Sequence, residues 1–168
     1  MVQKKKAGAS DPASGATGGF DFGGKILLIE ARYYEDIADE LVGGAIAELE
    51  AHGAAYDRVS VPGALEIPQA LAAAAGLFPE VYSGAVALGC VIRGDTSHYE
   101  VVVHNSNYWL MDVAINAGIP IGNAILTVEN KEQAMERARG GRAGKGGDAA
   151  RACLSLILIE QKFAEPVA

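Results

Sequence analysis

Short apolar runs alternate with amphipathic segments along most of this chain. Four runs are short and rich in aliphatic and aromatic side chains, a pattern that predicts strands. These runs cover Lys25–Ala31, Tyr56–Val61, Val81–Ile92 and Ile119–Val128. In the longer segments, apolar residues recur at three- and four-residue spacing, which predicts helices. These segments cover Tyr34–His52, Leu65–Leu77, Ser97–Ala117, Asn130–Arg139 and Asp148–Phe163.

Local signals mark where several of these elements begin and end. Gly53 follows the first helix, at the position where glycine commonly terminates a helix. Pro68 lies in the first turn of the second helix, where a missing N–H is tolerated. Asn130 and Gln133 have the spacing of a helix start, and a glycine-rich loop, Gly140–Gly147, separates the last two helices.

The elements follow one another in the order β-α-β-α-β-α-β-α-α, which predicts an α/β fold. Strands separated by helices form a parallel sheet that is covered by helices on both faces. In such sheets, ligands bind outside the carboxyl ends of the strands. Four segments lie at that edge: Tyr33, Pro62–Glu66, Val91–His98 and Val128–Asn130. Their convergence predicts a functional site there.

The composition of the chain favours one globular domain and disfavours nucleic-acid binding and a disulfide. The chain of 168 residues suits one domain with a sizeable core, and half of its residues are hydrophobic. A formal net charge of −7 argues against a nucleic-acid surface, because phosphate backbones require clustered cations. The two cysteines, Cys90 and Cys153, are predicted to be buried thiols in a reducing compartment rather than a disulfide.

The first 24 residues differ from the rest of the chain. Met1–Gly24 is rich in small and polar residues and has no periodic apolar pattern. We therefore expect a flexible N-terminal arm, followed by a domain over residues 25–168. The lysines of Lys4–Lys6 precede no apolar segment of the kind that a signal peptide carries. No run reaches membrane-spanning length, so we expect a cytoplasmic protein without a membrane partner.

The segment with the richest chemistry is Gly89–Glu100, at the end of the third strand. Ser97 and Glu100 have capping-box spacing, so a helix is predicted to start there. Backbone N–H groups at a helix start suit a phosphate or carboxylate, and His98 is a proton carrier near neutral pH. A metal site that combines Glu100, His98 and His104 is disfavoured, because the two histidines lie on different helix faces. These residues predict the active edge of an enzyme.

Four motifs, in the order that they have here, resemble those of the 6,7-dimethyl-8-ribityllumazine synthase family. They are Val61–Pro68, Gly89–His98, Leu126–Asn130 and Lys145–Gly147. The resemblance extends from Lys25 to Phe163. It implies a flavodoxin-like three-layer fold with a four-stranded parallel sheet. It also implies a homo-oligomer, either a pentamer or a multiple of pentamers.

The resemblance further implies a reaction of riboflavin biosynthesis. The family condenses 5-amino-6-(D-ribitylamino)uracil with 3,4-dihydroxy-2-butanone 4-phosphate and forms 6,7-dimethyl-8-ribityllumazine, phosphate and water. The expected partners of this chain are therefore two small-molecule substrates, a ribitylamino-pyrimidine and a sugar phosphate. The resemblance implies neither a metal nor an organic cofactor.

The positions of the family's functional residues can be matched one by one. The resemblance assigns general acid–base catalysis to His98. It assigns the pyrimidine and ribityl contacts to Tyr33, Ala64, Leu65, Glu66, Cys90, Val91, Ile92 and Asn123. It assigns the phosphate site to Asp95, Thr96, Arg137 and Lys145. It also implies that Asn123, Arg137 and Lys145 reach the site from a neighbouring subunit.

Two segments depart from the family pattern. Asn123 stands where many members have a Phe, which would replace stacking with an amide hydrogen bond. His104–Trp109 reads His-Asn-Ser-Asn-Tyr-Trp, where the family usually has a sequence similar to Asn-Glu-Ser-Ala-Arg-Gly. Aromatic residues are favoured in protein interfaces, so we predict that Tyr108 and Trp109 contact another chain. Three residues of the same helix are expected to face the core instead: Leu110, Val113 and Ala117.

Two other classes of function compete with the enzyme. The first is an assembly scaffold or shell with weak or no turnover, and with an altered or engineered subunit interface. The second is a receiver-type signalling domain of the same fold. A receiver requires an acceptor Asp at the end of the third strand, where this chain has Cys90–Ile92, and it is therefore disfavoured. Glu66, His98 and Arg137 are all present, so the sequence gives no direct reason to expect an inactive shell.

Overall fold

The structure, a computed structural model, describes residues 20–166. Within this range, strands and helices alternate as predicted. The strands are β1 (Lys25–Ala31), β2 (Tyr56–Val61), β3 (Tyr82–Ile92) and β4 (Ile121–Val128). The α-helices are α1 (Glu35–Ala51), α2 (Glu66–Ala74), α3 (His98–Ala117), α4 (Lys131–Ala138) and α5 (Lys145–Ala164). Short 3₁₀ turns follow α2 and α4, at Ala75–Leu77 and Gly141–Ala143.

The four strands run parallel in the spatial order β2-β1-β3-β4. One face of the sheet is covered by α1, α4 and α5, and the other face by α2 and α3. This arrangement confirms the predicted α/β fold of the flavodoxin-like type. Because all the strands point the same way, their carboxyl ends meet at one edge of the molecule.

Each face of the sheet has its own apolar core. Alternate residues of β1 point to opposite faces, so Leu28 belongs to the core under α1 and α5, and Ile29 to the core under α2. Both side chains are fully buried. A strand that is covered on both sides has no solvent-facing row, which explains its continuous apolar run. Cys90 and Cys153 are buried free thiols, as predicted.

The predicted N-terminal arm is described only from residue 20 onward. Phe22 is buried against the core. The backbone carbonyl of Asp21 accepts a hydrogen bond of 3.1 Å from the Gln161 side chain on α5. These last residues before β1 therefore lie against the domain. The remainder of the arm, residues 1–19, lies outside the described residues, and its flexibility stays a prediction.

The last helix begins earlier than predicted. The sequence pattern predicts a loop through Gly147, but α5 starts at Lys145. A Cβ on Gly146 would lie 1.9 Å from the carbonyl oxygen of Leu41, and one on Gly147 would lie 2.2 Å from that of Arg142. The glycines therefore allow the first turn of α5 to pack directly on the backbone of α1 and of the preceding turn. These two glycines are therefore part of α5 and permit its close packing, and they do not form a loop.

Other predicted helix ends are confirmed or slightly shifted. Asn130 Oδ1 accepts a hydrogen bond of 2.9 Å from the N–H of Gln133, whose Oε1 accepts one of 2.9 Å from the N–H of Glu129. This reciprocal pair caps α4 at the predicted residue. Gly53 follows α1 with a φ of 69°, as expected for a glycine that terminates a helix. Helix α2 ends at Ala74, because its predicted last turn tightens into a 3₁₀ turn.

Helix α3 leaves most of its surface exposed. Its buried residues are Ser106, Leu110 and Ala114, which follow one another at four-residue spacing. The prediction for Leu110 is confirmed, but Val113 is half-buried and Ala117 is exposed, because they lie beside this row. Five large apolar side chains form what we call the α3 outer face: Val101, Tyr108, Trp109, Met111 and Ile115.

Across residues 20–166, no helix is both long and apolar enough to span a bilayer.

Candidate active site

A cavity of about 390 Å³ opens at the carboxyl edge of the sheet, and we call it the edge cavity. Nine of the predicted site residues line it: Tyr33, Ala64, Leu65, Glu66, Cys90, Val91, Ile92, Thr96 and His98. Asp95 does not line the cavity, although its neighbours Gly94 and Thr96 do. The fold therefore brings together the end of β3 and the segments that follow β1, β2 and β3.

The floor of the edge cavity is the end of β3. Cys90 and Val91 are buried and Ile92 is half-buried. The polar groups that this strand can offer to a ligand are therefore backbone N–H and C=O groups. Burial raises the pKa of the Cys90 thiol to about 11. The thiol is neutral near pH 7 and is not a nucleophilic thiolate.

Two adjacent tyrosines form one wall of the edge cavity. Tyr33 is 74% exposed, and its ring meets the ring of Tyr34 edge-on. The ring centroids are 4.9 Å apart and the interplanar angle is 73°. Burial raises the pKa of Tyr34, so this phenol is neutral near pH 7. Tyr34 braces the ring of Tyr33, whose exposed surface can stack on the ring of a ligand.

The turn between β2 and α2 forms a second wall. The N–H of Glu66 donates to the carbonyl of Gly63, and the N–H of Ile67 donates to that of Ala64, both at 3.2 Å. These bonds close the turn just before α2. Within the described range, the Glu66 carboxylate has neither an ion pair nor a hydrogen bond. It is therefore available to accept hydrogen bonds from the hydroxyl groups of a ligand.

The turn between β3 and α3 carries unpaired backbone donors. The N–H groups of Gly94, Asp95 and Thr96 donate to no other residue among those described. The hydroxyl of Thr96 accepts a hydrogen bond of 3.3 Å from the N–H of His98. These donors lie at the N-terminus of a 20-residue helix, where the helix dipole favours negative charge. The turn therefore suits an anionic group.

The predicted capping box at the start of α3 is wrong. Among the described residues, the Ser97 side chain makes no capping hydrogen bond. The Glu100 carboxylate forms an ion pair with Arg93 instead. The guanidinium is favoured over a backbone N–H because both partners of the guanidinium–carboxylate pair are ionised, whereas the backbone donor is neutral. The hydrogen bond from Arg93 also lowers the pKa of Glu100.

Arg93 connects three elements behind the edge cavity, and the sequence motifs did not single it out. Its Nε lies 3.0 Å from a carboxylate oxygen of Glu129, which follows β4. Its guanidinium carbon lies 4.1 Å from the centre of the Tyr99 ring. Together with the Glu100 pair, these contacts hold the ends of β3 and β4 against the first turn of α3. The only signal in the sequence is a lone cation directly after a strand.

His98 is the first residue of α3 and lines the edge cavity. Its side chain is exposed, and its imidazole bonds to no residue of the described part of the chain. The helix fixes the position of the backbone, while both ring nitrogens remain accessible. Such an imidazole can take a proton from a bound substrate or donate one to it.

Arg137 and Lys145, two of the predicted phosphate ligands, lie elsewhere. With Arg139 they line a second cavity of about 320 Å³, which we call the basic cavity. No sequence motif points to Arg139, which directly follows α4. Asn123 lines neither the edge cavity nor the basic cavity and is exposed on β4. The predicted residues therefore do not form one site within a single chain.

An ion-pair network supports the basic cavity. Lys145 Nζ lies 2.9 Å from a carboxylate oxygen of Asp148, which also pairs with Arg151 at 3.1 Å. Arg151 and Arg142 both pair with the fully buried Glu48, at 3.1 and 2.7 Å. Burial opposes the ionisation of Glu48, but hydrogen bonds from the two arginines hold its pKa below the usual value. The sequence does not reveal this network, because Glu48 and Arg151 are 103 residues apart.

The family of this chain is established by comparison with known proteins. The model of the family described as 6,7-dimethyl-8-ribityllumazine synthase matches residues 23–161. A relative of that name from Afipia carboxidovorans is 52% identical over 147 residues, which cover 86% of this chain and 90% of the relative. Another, from Azorhizobium caulinodans, is 50% identical over 167 residues, which cover 96% of this chain and 98% of the relative. The chain therefore belongs to the 6,7-dimethyl-8-ribityllumazine synthase family.

Proposed function

We propose that this protein condenses 5-amino-6-(D-ribitylamino)uracil with 3,4-dihydroxy-2-butanone 4-phosphate to form 6,7-dimethyl-8-ribityllumazine, phosphate and water. The observation that carries the proposal is the edge cavity, where nine expected site residues meet in a chain of this family. Both substrates are small and water-soluble, and we expect the reaction to take place in the cytoplasm.

The pyrimidine substrate is proposed to bind against Tyr33 and the end of β3. Stacking on an exposed aromatic face typically contributes about 0.5–1.5 kcal/mol beyond the area that it buries. The backbone groups of Cys90–Ile92 supply hydrogen bonds to the edge of the ring. The Glu66 carboxylate accepts hydrogen bonds from the ribityl hydroxyls. This binding mode explains why an apolar strand end and an unpaired carboxylate line the same cavity.

The phosphate of the second substrate is proposed to bind at the turn between β3 and α3. The donors are the N–H groups of Gly94–Thr96 and the hydroxyl of Thr96. The Asp95 carboxylate would repel a phosphate, so we assign the role of this residue to its backbone N–H. A helix N-terminus with several unpaired N–H groups stabilises an anion through its backbone donors.

His98 is proposed to move protons in the condensation. The 5-amino group attacks the carbonyl carbon of the butanone, and loss of water gives an imine. Phosphate then leaves by elimination, and the ribitylamino nitrogen closes the ring with loss of a second water. Each step requires a proton to be removed from one atom and delivered to another. An imidazole can do both, because one ring nitrogen can donate a proton while the other accepts one.

The separation of the two cavities supports a site that is completed by a neighbouring subunit. Arg137 and Lys145 line the basic cavity and Asn123 lies on β4, so none of them reaches the edge cavity of its own chain. In a ring, a head-to-tail interface places one edge of each subunit against a different edge of the next. We propose a homopentamer, or a multiple of pentamers, in which Asn123 and the two cations serve the edge cavity of the adjacent chain.

The α3 outer face is proposed to be a contact between subunits. Tyr108 is 62% exposed and Trp109 is 50% exposed, and their rings meet edge-on with centroids 5.1 Å apart. Large apolar and aromatic side chains that stay exposed on one helix are typical of a protein interface. We expect the fluorescence of Trp109, the single tryptophan, to be shielded from a soluble quencher in the assembled particle. Efficient quenching would contradict this contact.

One assay combined with one mass measurement tests the proposed function. The purified full-length protein is incubated with both substrates and no added metal, and lumazine formation is followed by absorbance. Native mass spectrometry of the same sample gives the number of subunits. We expect turnover from a particle with a multiple of five subunits. An assembled particle without turnover would instead support the scaffold hypothesis.

A further inference from the structure

A chain of hydrogen bonds fixes the side-chain amide of Asn123. Its Nδ2 donates to Asn107 Oδ1 at 2.8 Å, and its Oδ1 accepts from the backbone N–H of Ile125 at 2.9 Å. Nδ2 of Asn107 donates in turn to the carbonyl of Val103 at 2.9 Å. The chain therefore runs from the backbone of α3 through two side chains to the backbone of β4.

These bonds determine which way the Asn123 amide faces. The amide of an unconstrained asparagine can turn over, which exchanges its donor and its acceptor. Here the Ile125 N–H requires an oxygen on one side, and Asn107 Oδ1 requires an N–H on the other. Asn107 is itself oriented, because Val103 offers only a carbonyl oxygen. The remaining N–H of Asn123 and one lone pair on its oxygen are left for another partner.

The two asparagines also differ in exposure. Asn107 is half-buried between α3 and β4, whereas Asn123 is exposed. Asn107 therefore supports Asn123 from the protein side. A ligand that approaches from solvent would contact Asn123 and not Asn107. Both residues lie in the two segments that depart from the family pattern. The structure shows that these departures are joined by a direct hydrogen bond.

We propose that Asn107 is a positioning residue that holds the Asn123 amide in the orientation needed to hydrogen-bond the pyrimidine in the adjacent subunit. This inference rests on the proposed function, because Asn123 meets a substrate only in the shared site. Asn107 touches no substrate and acts through Asn123. Recognition by an oriented amide distinguishes a donor from an acceptor on the ring edge, which stacking does not.

The first test replaces Asn107 with Ala in the full-length, assembled protein. Calorimetry with the ribitylamino-pyrimidine alone measures binding, and steady-state kinetics give a separate KM for each substrate. We expect pyrimidine affinity to fall about 2- to 10-fold, the usual effect of one intramolecular hydrogen bond. The KM for the butanone phosphate should stay within about twofold of wild type. Equal changes in both KM values, or no change in either, would overturn the inference.

Asn116→Ala is the matched control, since it makes the same change at an exposed position of the same helix. We expect wild-type affinity for the pyrimidine from this variant. Should Asn107→Ala fail to assemble, Asn107→Leu removes the same acceptor with little change in volume. The same expectations then apply to it.

A double-mutant cycle separates positioning from a general structural effect. If Asn107 acts through Asn123, then Asn107→Ala should cause no further loss of pyrimidine affinity when Asn123 is already Ala. An equal loss in both backgrounds would contradict the inference. Wild-type protein that binds the pyrimidine but forms no lumazine would refute the proposed reaction and leave this test intact. Wild-type protein that does not bind the pyrimidine would overturn both proposals.

Discussion

At the scale of residues, the proposed chemistry is concentrated in one turn and the residue after it. Thr96 and the neighbouring N–H groups suit the phosphate, and His98 is the first residue of the helix that they precede. The leaving group and the proton carrier are therefore brought together by local geometry. Residues on other segments hold the second substrate.

Replacement of His98 with Ala should lower kcat about 100-fold or less. A positioned acid–base group typically contributes about 10²–10⁴-fold, and the cavity still brings the two substrates together in this variant. Pyrimidine binding, measured by calorimetry, should change little. His104→Ala is the matched control, because His104 is another exposed histidine of α3 that lies outside the edge cavity. Unchanged turnover in the His98 variant would exclude it as the proton carrier.

Replacement of Arg137 with Ala should raise the KM for the butanone phosphate much more than the KM for the pyrimidine. A guanidinium that pairs with phosphate interacts with only one of the two substrates. Steady-state kinetics with each substrate varied in turn measure the difference. Lys131→Ala removes the same charge from the same helix at a residue that pairs with Asp36 instead, and serves as the control. Equal effects on both KM values would indicate a role in folding or assembly.

At the scale of elements, close backbone contacts join α1 to the turn before α5. A Cβ on Gly44 would lie 2.6 Å from the carbonyl oxygen of Gly141, whereas a Cβ on Gly43 would meet no atom of residues 20–166 within 4 Å. These neighbouring glycines of α1 therefore allow a direct comparison. Alanine has a higher helix propensity than glycine at either position, but only position 43 has room for the added methyl group.

Gly43→Ala should stabilise the protein by about 0.5–1 kcal/mol, because alanine is the better helix former. Gly44→Ala should destabilise it by roughly 1–3 kcal/mol, because the methyl group forces α1 away from the turn. Chemical denaturation at one fixed protein concentration measures both changes. A stabilising effect of Gly44→Ala would show that the two elements are not in close contact.

Glu48 joins α1 to α5 and to the turn between α4 and α5. Its replacement with Gln should lower the free energy of unfolding at pH 7 by roughly 1–3 kcal/mol. A small value is expected because the Arg142 and Arg151 side chains are 54% and 47% exposed and stay partly hydrated. Glu50→Gln, an exposed position of the same helix, is the control and should be close to neutral.

The Glu48 effect should also depend on pH. The folded-state pKa of Glu48 lies below its usual value near 4.5, so its carboxylate stabilises the fold above that pH. This contribution is lost as the pH falls through the folded-state pKa. The stability difference between wild type and Glu48→Gln should therefore shrink below about pH 4.5. A difference that is constant from pH 7 to acid would show that the charge of Glu48 contributes nothing.

At the scale of the whole molecule, the expected catalytic and phosphate-binding residues are divided between two cavities. His98 and Thr96 line the edge cavity, and Arg137 and Lys145 line the basic cavity. A particle in which neighbours share each site predicts complementation between the two impaired variants when the butanone phosphate is kept well below its KM. The measurement is the activity of mixed particles.

Equal amounts of a His98→Ala and an Arg137→Ala chain are mixed before assembly. A site is intact when one chain keeps His98 and its neighbour keeps Arg137, which random mixing produces in about one site in four. We therefore expect about a quarter of wild-type activity. Activity no higher than the mean of the two variants, despite confirmed co-assembly, would place both residues in the site of one chain.

The sequence by itself determined the elements, the parallel sheet and the edge that carries the candidate site. A parallel sheet buried on both faces requires continuous apolar strands, and the helices between them require helical spacing, so both leave a strong local pattern. Residues at strand ends, such as Tyr33, Cys90 and His98, could then be placed at one edge without coordinates. Asn130 with Gln133 also formed the predicted cap, because both partners lie within one turn.

Tertiary structure decided what depends on contacts between distant segments. Glu100 pairs with Arg93 instead of forming the predicted cap, and α5 begins at Lys145, where the sequence pattern predicted a loop. Glu48 pairs with Arg151, which is 103 residues away in the sequence. Asn107 on α3 accepts a hydrogen bond from Asn123 on β4 and so orients its amide. These contacts leave no local signature, because each side chain has ordinary neighbours along the chain and finds its partner only when the layers pack.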